Sequence, residues 1–155
     1  MKRNTGFTLV EILIVVIILG ILAAIVIPQF TEASNDARVS AMVSDLQTVR
    51  SQVEPYKVQH LDQFPGWNGT TVDAADFVAD LTGKTAIDGS GGGTLGPYLQ
   101  KFPTNPFGAG TDAENASVRV VTQATDPNSA SGNQGWWFNV TTGRFGVNTD
   151  DYIDR

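Results

Sequence analysis

Residues 6–30 read GFTLVEILIVVIILGILAAIVIPQF: Gly6, then Phe7-Thr8-Leu9-Val10-Glu11, an apolar run from Ile12 to Ile27, and Pro28-Gln29-Phe30. The sixteen positions from Ile12 to Ile27 hold only Ile, Leu, Val, Ala and one Gly. Phe7 to Ile27 is 21 residues, which as a helix rising about 1.5 Å per residue spans roughly 30 Å, the thickness of a bilayer hydrocarbon core. Lys2 and Arg3 precede the run, and Glu32, Asp36 and Arg38 follow it, so the positive-inside bias places the N-terminus in the cytoplasm and the chain from about residue 31 outside. A secretory signal peptide has a shorter apolar region ending at a small-residue cleavage site. Here Ala23-Ala24 is followed by Ile25-Val26-Ile27, so the apolar run continues past that site and a retained anchor is the better reading.

Glu11 sits inside this anchor. A carboxylate near the bilayer centre costs about 2.5–3.5 kcal/mol on insertion scales and less near the interface, which makes it a functional hypothesis by default. The apolar run contains no basic residue, so its partner comes from a chain terminus or from another subunit.

The run Gly6 to Glu11, the apolar helix and Pro28-Gln29-Phe30 together resemble the N-terminus of bacterial type IV pilins and the related pseudopilins of type II secretion. The resemblance implies that a prepilin peptidase cuts after Gly6, that residues 1–6 are a leader, and that Phe7 becomes a methylated first residue with Glu11 fifth in the mature chain. Cutting there creates an α-amine beside the apolar phase, and the Glu11 carboxylate of an adjacent subunit neutralises it; two charges that are each costly alone become one contact that also sets axial register. The resemblance further implies self-association into a helical filament and contact with an inner-membrane assembly machinery. Before assembly the protein is expected as a single-pass inner-membrane protein, and afterwards as a periplasmic or extracellular filament.

Beyond the anchor, Val39, Met42, Leu46, Val49, Val53 and Tyr56 recur at spacings of three and four, one stripe of an amphipathic helix. A helix from Phe7 to about Gln59 is expected, kinked or loosened at Pro28 and bent or ended near Pro55. A short helix follows around Val72–Leu81, with Thr71 or Asp73 as cap and Gly83 as its end. Gly91, Gly93 and Gly96 match a phosphate-cradling spacing, but neither the preceding strand nor the following helix is present, and a loop is the reading adopted. Gly96 to Gly108, with Pro97, Pro103 and Pro106, reads as an extended aromatic brace over the helix, and it resembles a proline-aromatic segment of the major pseudopilin. Residues 117–122, 135–140 and 144–147 are β-rich runs, with Thr141-Thr142-Gly143 as a hairpin turn.

The fold expected is α+β: a long N-terminal α-helix, membrane-spanning in its first half and amphipathic in its second, packed on a small antiparallel sheet. Three segments follow: leader 1–6, filament-core helix 7–30, and soluble head 31–155 including the rest of the helix.

Sixteen acidic residues against ten basic, a net charge of −6, argue against nucleic acid as a partner. With no cysteine and one histidine, His60, thiol chemistry and multi-histidine metal sites are excluded. His60 lacks a nearby nucleophile motif and reads as a helix-end or surface residue. Asp73, Asp76 and Asp80 read as solvated charge and helix-dipole charge rather than catalytic carboxylates, and N-x-[ST] matches at Asn68, Asn115 and Asn139 carry little weight. Calcium is the one cofactor the composition permits, with Asp126, Asn128, Asn148, Asp150, Asp151 and Asp154 as oxygen donors. The acid-rich calcium loop that the resemblance implies is replaced here by Asp126-Pro127-Asn128-Ser129-Ala130-Ser131-Gly132.

The sequence therefore points to a non-enzymatic filament subunit whose processing and assembly residues are Gly6, Phe7, Glu11 and Pro28. The absence of the cysteines that close a C-terminal loop in many type IV pilins tilts the resemblance toward pseudopilins. The alternative is a monomeric, membrane-anchored binding module. Glu11 separates the two, because a simple tether has no use for a buried carboxylate.

Overall fold

A computed structural model describes residues 6–153. The elements in chain order are helix α1 (Leu9–Gln59), helix α2 (Ala74–Thr82), helix α3 (Asp112–Asn115), and strands β1 (Val118–Val121), β2 (Trp136–Asn139) and β3 (Arg144–Val147), followed by a single 3₁₀ turn, Asp150–Tyr152. The chain divides into two compact units, Met1–Ser40 and Ala41–Arg155, and α1 contributes to both.

In the first unit every side chain from Gly6 to Arg38 is exposed. α1 is the one helix among the described residues that is long and apolar enough to cross a membrane. It stays α-helical through Pro28 and through Pro55, so the expected early stop does not occur. A proline removes one helical hydrogen bond and crowds the carbonyl four residues back. At Pro55 the flanking Val53 and Tyr56 are both buried, and their packing holds the turn that the proline weakens.

The second unit is built on the stripe of α1. Met42, Leu46, Val49, Val53 and Tyr56 are all buried, while Val39, at the head of the expected stripe, is only half-buried. Helix α2 begins at Asp73, whose carboxylate accepts from the Ala75 and Asp76 amides, and it buries Phe77 and Leu81. That N-cap satisfies two of the donors a helix start leaves open. The Gly66 amide lies in positive φ (+75°), and a Cβ there would sit 2.4 Å from the Asp73 carbonyl oxygen, so only glycine lets the chain enter α2 this closely. Helix α3 has a capping box formed by Thr111 and Glu114. It is only four residues long, too short for periodicity to reveal.

The sheet order is β1-β2-β3. β2 and β3 pair antiparallel, closed by the expected turn with Gly143 at φ +70°. β1 pairs parallel with β2, so the sheet is mixed, and the all-antiparallel expectation is corrected. Residues 122–135 join them, far more than a hairpin loop; a connection of that length carries the chain back to start β2 beside the start of β1. The rungs Val118–Trp136–Val147 and Val120–Phe138–Phe145 form the core face.

Aromatic rings fill the space between helix and sheet. Phe77 lies 4.8 Å from Phe138, 6.1 Å from Phe145 and 6.4 Å from Phe102, ring centre to ring centre. The segment 96–108 does brace this core: Leu99 and Phe102 are buried, and the Tyr98 hydroxyl donates to Gln59 Oε1 at 2.7 Å. The buried Asn105 fixes its far end, donating to the Gly135 carbonyl and Thr149 hydroxyl and accepting from the Phe107 amide. Phe77→Ala removes the ring at the centre of this cluster and should lower the unfolding free energy by about 3–5 kcal/mol. Urea denaturation of the detergent-solubilised full chain, followed by tryptophan fluorescence, measures it; a loss under about 1 kcal/mol contradicts the packing described.

Candidate assembly site

The first turn of α1 is shaped by Thr8 and Glu11. Glu11 Oε2 accepts from both the Thr8 amide and the Thr8 hydroxyl at 2.8 Å, and the Glu11 amide donates to Thr8 Oγ1 at 3.3 Å. This is a reciprocal capping box, which ties off helix-start donors that a bilayer offers no water to satisfy. The sequence reading gave Glu11 a partner beyond its own helix and missed Thr8; the T-x-x-E spacing is the signal that identifies it. The two roles are compatible, because Oε1 makes no hydrogen bond to any described residue. One carboxylate oxygen holds the helix start and the other stays open.

Gly6 and Phe7 lie just ahead of this cap, with Phe7 83% exposed. Lys2 and Arg3, on which the topology argument rests, and the rest of the leader lie outside the described residues. Pro28 sits in the exposed part of α1, and the Thr31 hydroxyl donates back to the Ile27 carbonyl beside it. From Leu9 to Phe30 the large apolar side chains are uncovered, so the chain's own fold supplies no shelter for them. Exposed apolar area on this scale marks a surface made for lipid or for another protein.

In the head, the polar residues singled out from the sequence are structural. His60 follows the helix end as expected, but it is fully buried rather than on the surface. Its Nδ1 pairs with the Tyr56 carbonyl and its Nε2 with Thr85 Oγ1, both at 2.8 Å, and its ring stacks on Tyr56 at 3.8 Å. Both ring nitrogens are committed to the fold, so His60 has no free nitrogen to act as a base. Asp80 is not a solvated charge: its Oδ2 accepts from the Tyr56 hydroxyl at 2.9 Å and from the Gly66 amide at 2.7 Å. Burial, reinforced by Asp80, pushes the Tyr56 phenol well above its ordinary pKa. The glycines 91, 93 and 96 belong to a clasp in which Thr85 bridges Gly91 and Leu95, consistent with a loop. Asn115 and Asn139 are buried and hydrogen-bonded, so neither presents an acceptor for glycosylation.

Three of the oxygen donors named for calcium, Asp126, Asn148 and Asp150, make contacts within the chain. Asp126 forms an ion pair with Arg144 and also accepts from the Asn139 amide and Thr142 hydroxyl. Asn148 accepts from the Ser131 amide and donates to the carbonyls of Ser131 and Gln134. Asp150 accepts from the Ala130 amide at 2.6 Å. These contacts pin the 126–132 loop with the protein's own groups, and an arginine stands against the carboxylate a cation would need. Among the described residues no three acidic or histidine side chains converge as a metal site; Asp154 lies outside them.

Comparison with known proteins agrees with this geometry. Residues 1–27 match the prokaryotic N-terminal methylation motif. The chain is 34% identical over 112 residues to the type II secretion system core protein G of Pseudomonas aeruginosa, covering 69% of this chain and 70% of that protein. It is 31% identical over 144 residues to the type IV major fimbrial protein FimA of Dichelobacter nodosus, 88% of each chain. With the core protein G of Klebsiella pneumoniae it shares 30% identity over 109 residues, 70% of this chain and 73% of that one. No solved structure matches it. A capped helix whose uncovered apolar stretch to Ile27 bears one carboxylate, the methylation motif across its start, and relatives aligned over most of their length lead to one conclusion: the chain belongs to the family of type IV pilins and type II secretion pseudopilins, which build filaments and catalyse no reaction.

Proposed function

We propose that this chain is a subunit of a type II secretion pseudopilus or a type IV pilus-like filament, stored in the inner membrane with its N-terminus cytoplasmic and its head outside. In this reading a prepilin peptidase cuts after Gly6, Phe7 becomes the methylated N-terminus, and an inner-membrane machinery moves subunits from lipid into the filament. One observation carries it: the apolar surface of α1 is uncovered, and Glu11, the single carboxylate between Phe7 and Ile27, has one oxygen tied to Thr8 and the other without a hydrogen bond to any described residue. Lipid covers the apolar surface before assembly and neighbouring helices cover it afterwards, so transfer between the two loses little apolar burial. Only the second environment brings the freed Phe7 amine of another subunit to Glu11. A monomeric tether gives that carboxylate no counter-charge and no task. Pro28, at the apolar boundary, is where the helix is weakest and can adjust as subunits pack.

Removing one partner of a poorly solvated ion pair costs about 3–5 kcal/mol, and each 1.4 kcal/mol is a factor of ten in an association constant. Glu11→Ala should therefore enter the membrane as well as the natural chain while filament yield falls by well over tenfold. Mass spectrometry of the subunit from its native host should find methylated Phe7 first. Normal filament yield from the variant, or a subunit that still begins at Met1, overturns the reading.

The head is proposed to be metal-independent, because Arg144 supplies the positive charge at Asp126. Calcium followed by chelator should leave the thermal midpoint of the full chain unmoved, whereas Asp126→Asn should lower stability by about 1–2 kcal/mol, roughly 2–4 °C per kcal/mol at this size. A calcium-dependent rise that chelator reverses contradicts it.

A further inference from the structure

One rung of the sheet lies off the core face. Arg119 of β1 pairs with Trp137 of β2, which pairs with Gly146 of β3, and paired residues on adjacent strands share a face. Trp137 is nonetheless 1% exposed. A Cβ at Gly146 would fall 2.3 Å from the indole Cε2, so the absence of a side chain there is what lets the ring lie down on the sheet. Two side-chain nitrogens on this rung, Arg119 Nε and Trp137 Nε1, are shielded from water and make no hydrogen bond; among the described residues they are the only such atoms. Native proteins rarely leave buried polar groups unmet, and each exception asks for an explanation such as an ion or an ordered water.

The chemistry of the exceptions is one-sided. Both unmet groups are N–H donors, and indole and guanidinium have no acceptor to offer. The guanidinium has one weak outlet, Nη1 to the Ser131 carbonyl at 3.3 Å. Among the described residues no carboxylate lies within ion-pair distance of it, in a chain where acids outnumber bases sixteen to ten. Burial holds its pKa below the ordinary arginine value, as expected for a charge with no nearby counter-charge. Beside it opens a cleft of about 350 Å³ lined by Arg119, Gln123, Asn128, Ser129 and Ser131, with Val121 and Pro127 as its apolar walls. No acidic side chain lines this cleft, and none of the other four polar side chains is engaged elsewhere among the described residues. A water molecule would bring donors as well as acceptors and leave the charge uncompensated. An acceptor-only, negatively charged group would give Arg119 both an acceptor and a counter-charge; Trp137, which does not line the cleft, stays outside its reach.

We infer that the cleft beside Arg119 is an oxyanion site, built to take a carboxylate or a phosphate-type group. Arg119 supplies the charge and the planar donor fork; Ser129, Ser131 and Asn128 supply neutral hydrogen bonds around it. The inference rests on the sheet and its connecting loop alone and stands apart from the assembly of α1.

The test uses the full ¹⁵N-labelled chain in zwitterionic detergent. The backbone amide signals of Ser129 and Ser131, which line the cleft, and the Arg119 Nε–H signal are followed while sodium phosphate, sodium acetate or sodium chloride is added at matched ionic strength. Saturable shifts of these signals with an oxyanion, absent with chloride, and for the Ser129 and Ser131 amides at least about tenfold weaker in Arg119→Gln, are the expected result. Saturation by phosphate alone identifies a phosphoryl ligand; saturation by acetate as well identifies a carboxylate, as a protein side chain would present. Arg119→Lys, which keeps the charge and loses the fork, should bind with intermediate strength and serves if the glutamine variant does not fold. Indifference to both oxyanions, or an equal response from wild type and an Arg119 variant, overturns the site and leaves water as the partner of these donors.

Discussion

From Leu9 to Phe30, α1 presents apolar side chains on every side, and nothing among the described residues covers them. That constraint organises the molecule. A helix that is apolar all round requires hydrocarbon or other helices, whereas one with a single apolar stripe requires a core to pack on. α1 meets the first description until about Phe30 and the second from Met42 onward, so one helix has two solvents. The head exists in part to absorb the stripe, and the family's filament exists in part to absorb the rest.

Glu11 makes sense only within that frame. A carboxylate in an otherwise apolar helical stretch is a penalty unless its oxygens are satisfied, and the structure divides them: one closes the capping box with Thr8 and one makes no hydrogen bond to any described residue. The cap explains how the helix start avoids stranding its amides in lipid, a need that exists before any partner arrives. The open oxygen explains how the same residue can also answer a charge from outside. In the head the same discipline holds for buried polar groups. His60, Asp80, Asn105 and Asn139 each spend their hydrogen-bonding atoms on the fold. Against that background the two unmet donors on the Arg119–Trp137 rung stand out.

The loop that connects β1 to β2 is held by side chains of the head itself. The loop after β1 is closed by Asp126 on Arg144 and by Asn148 and Asp150 on backbone amides of residues 130–131. The Arg144 guanidinium, at the start of β3, neutralises the Asp126 carboxylate at one end of that loop.

Much of this was written in the primary sequence. The length and unbroken apolarity of residues 12–27, the three-and-four spacing from Met42 to Tyr56, the Asp73 cap and the Gly143 turn are local patterns, and local patterns are legible because neighbours in sequence are neighbours in space. Glu11 was legible for the same reason, as the lone acid in an apolar run. What the tertiary structure decided were relations between distant residues. The parallel direction of β1 depends on where a long connection returns. The burial of His60 depends on Thr85, the role of Asp80 on Tyr56, and the pairing of Asp126 with Arg144 on a loop folding back over 18 positions. Nor does any periodicity reveal that Trp137, on the face where a polar residue was due, would be buried over Gly146 beside an arginine without a counter-charge, since that follows from the register of three strands and not from any one of them.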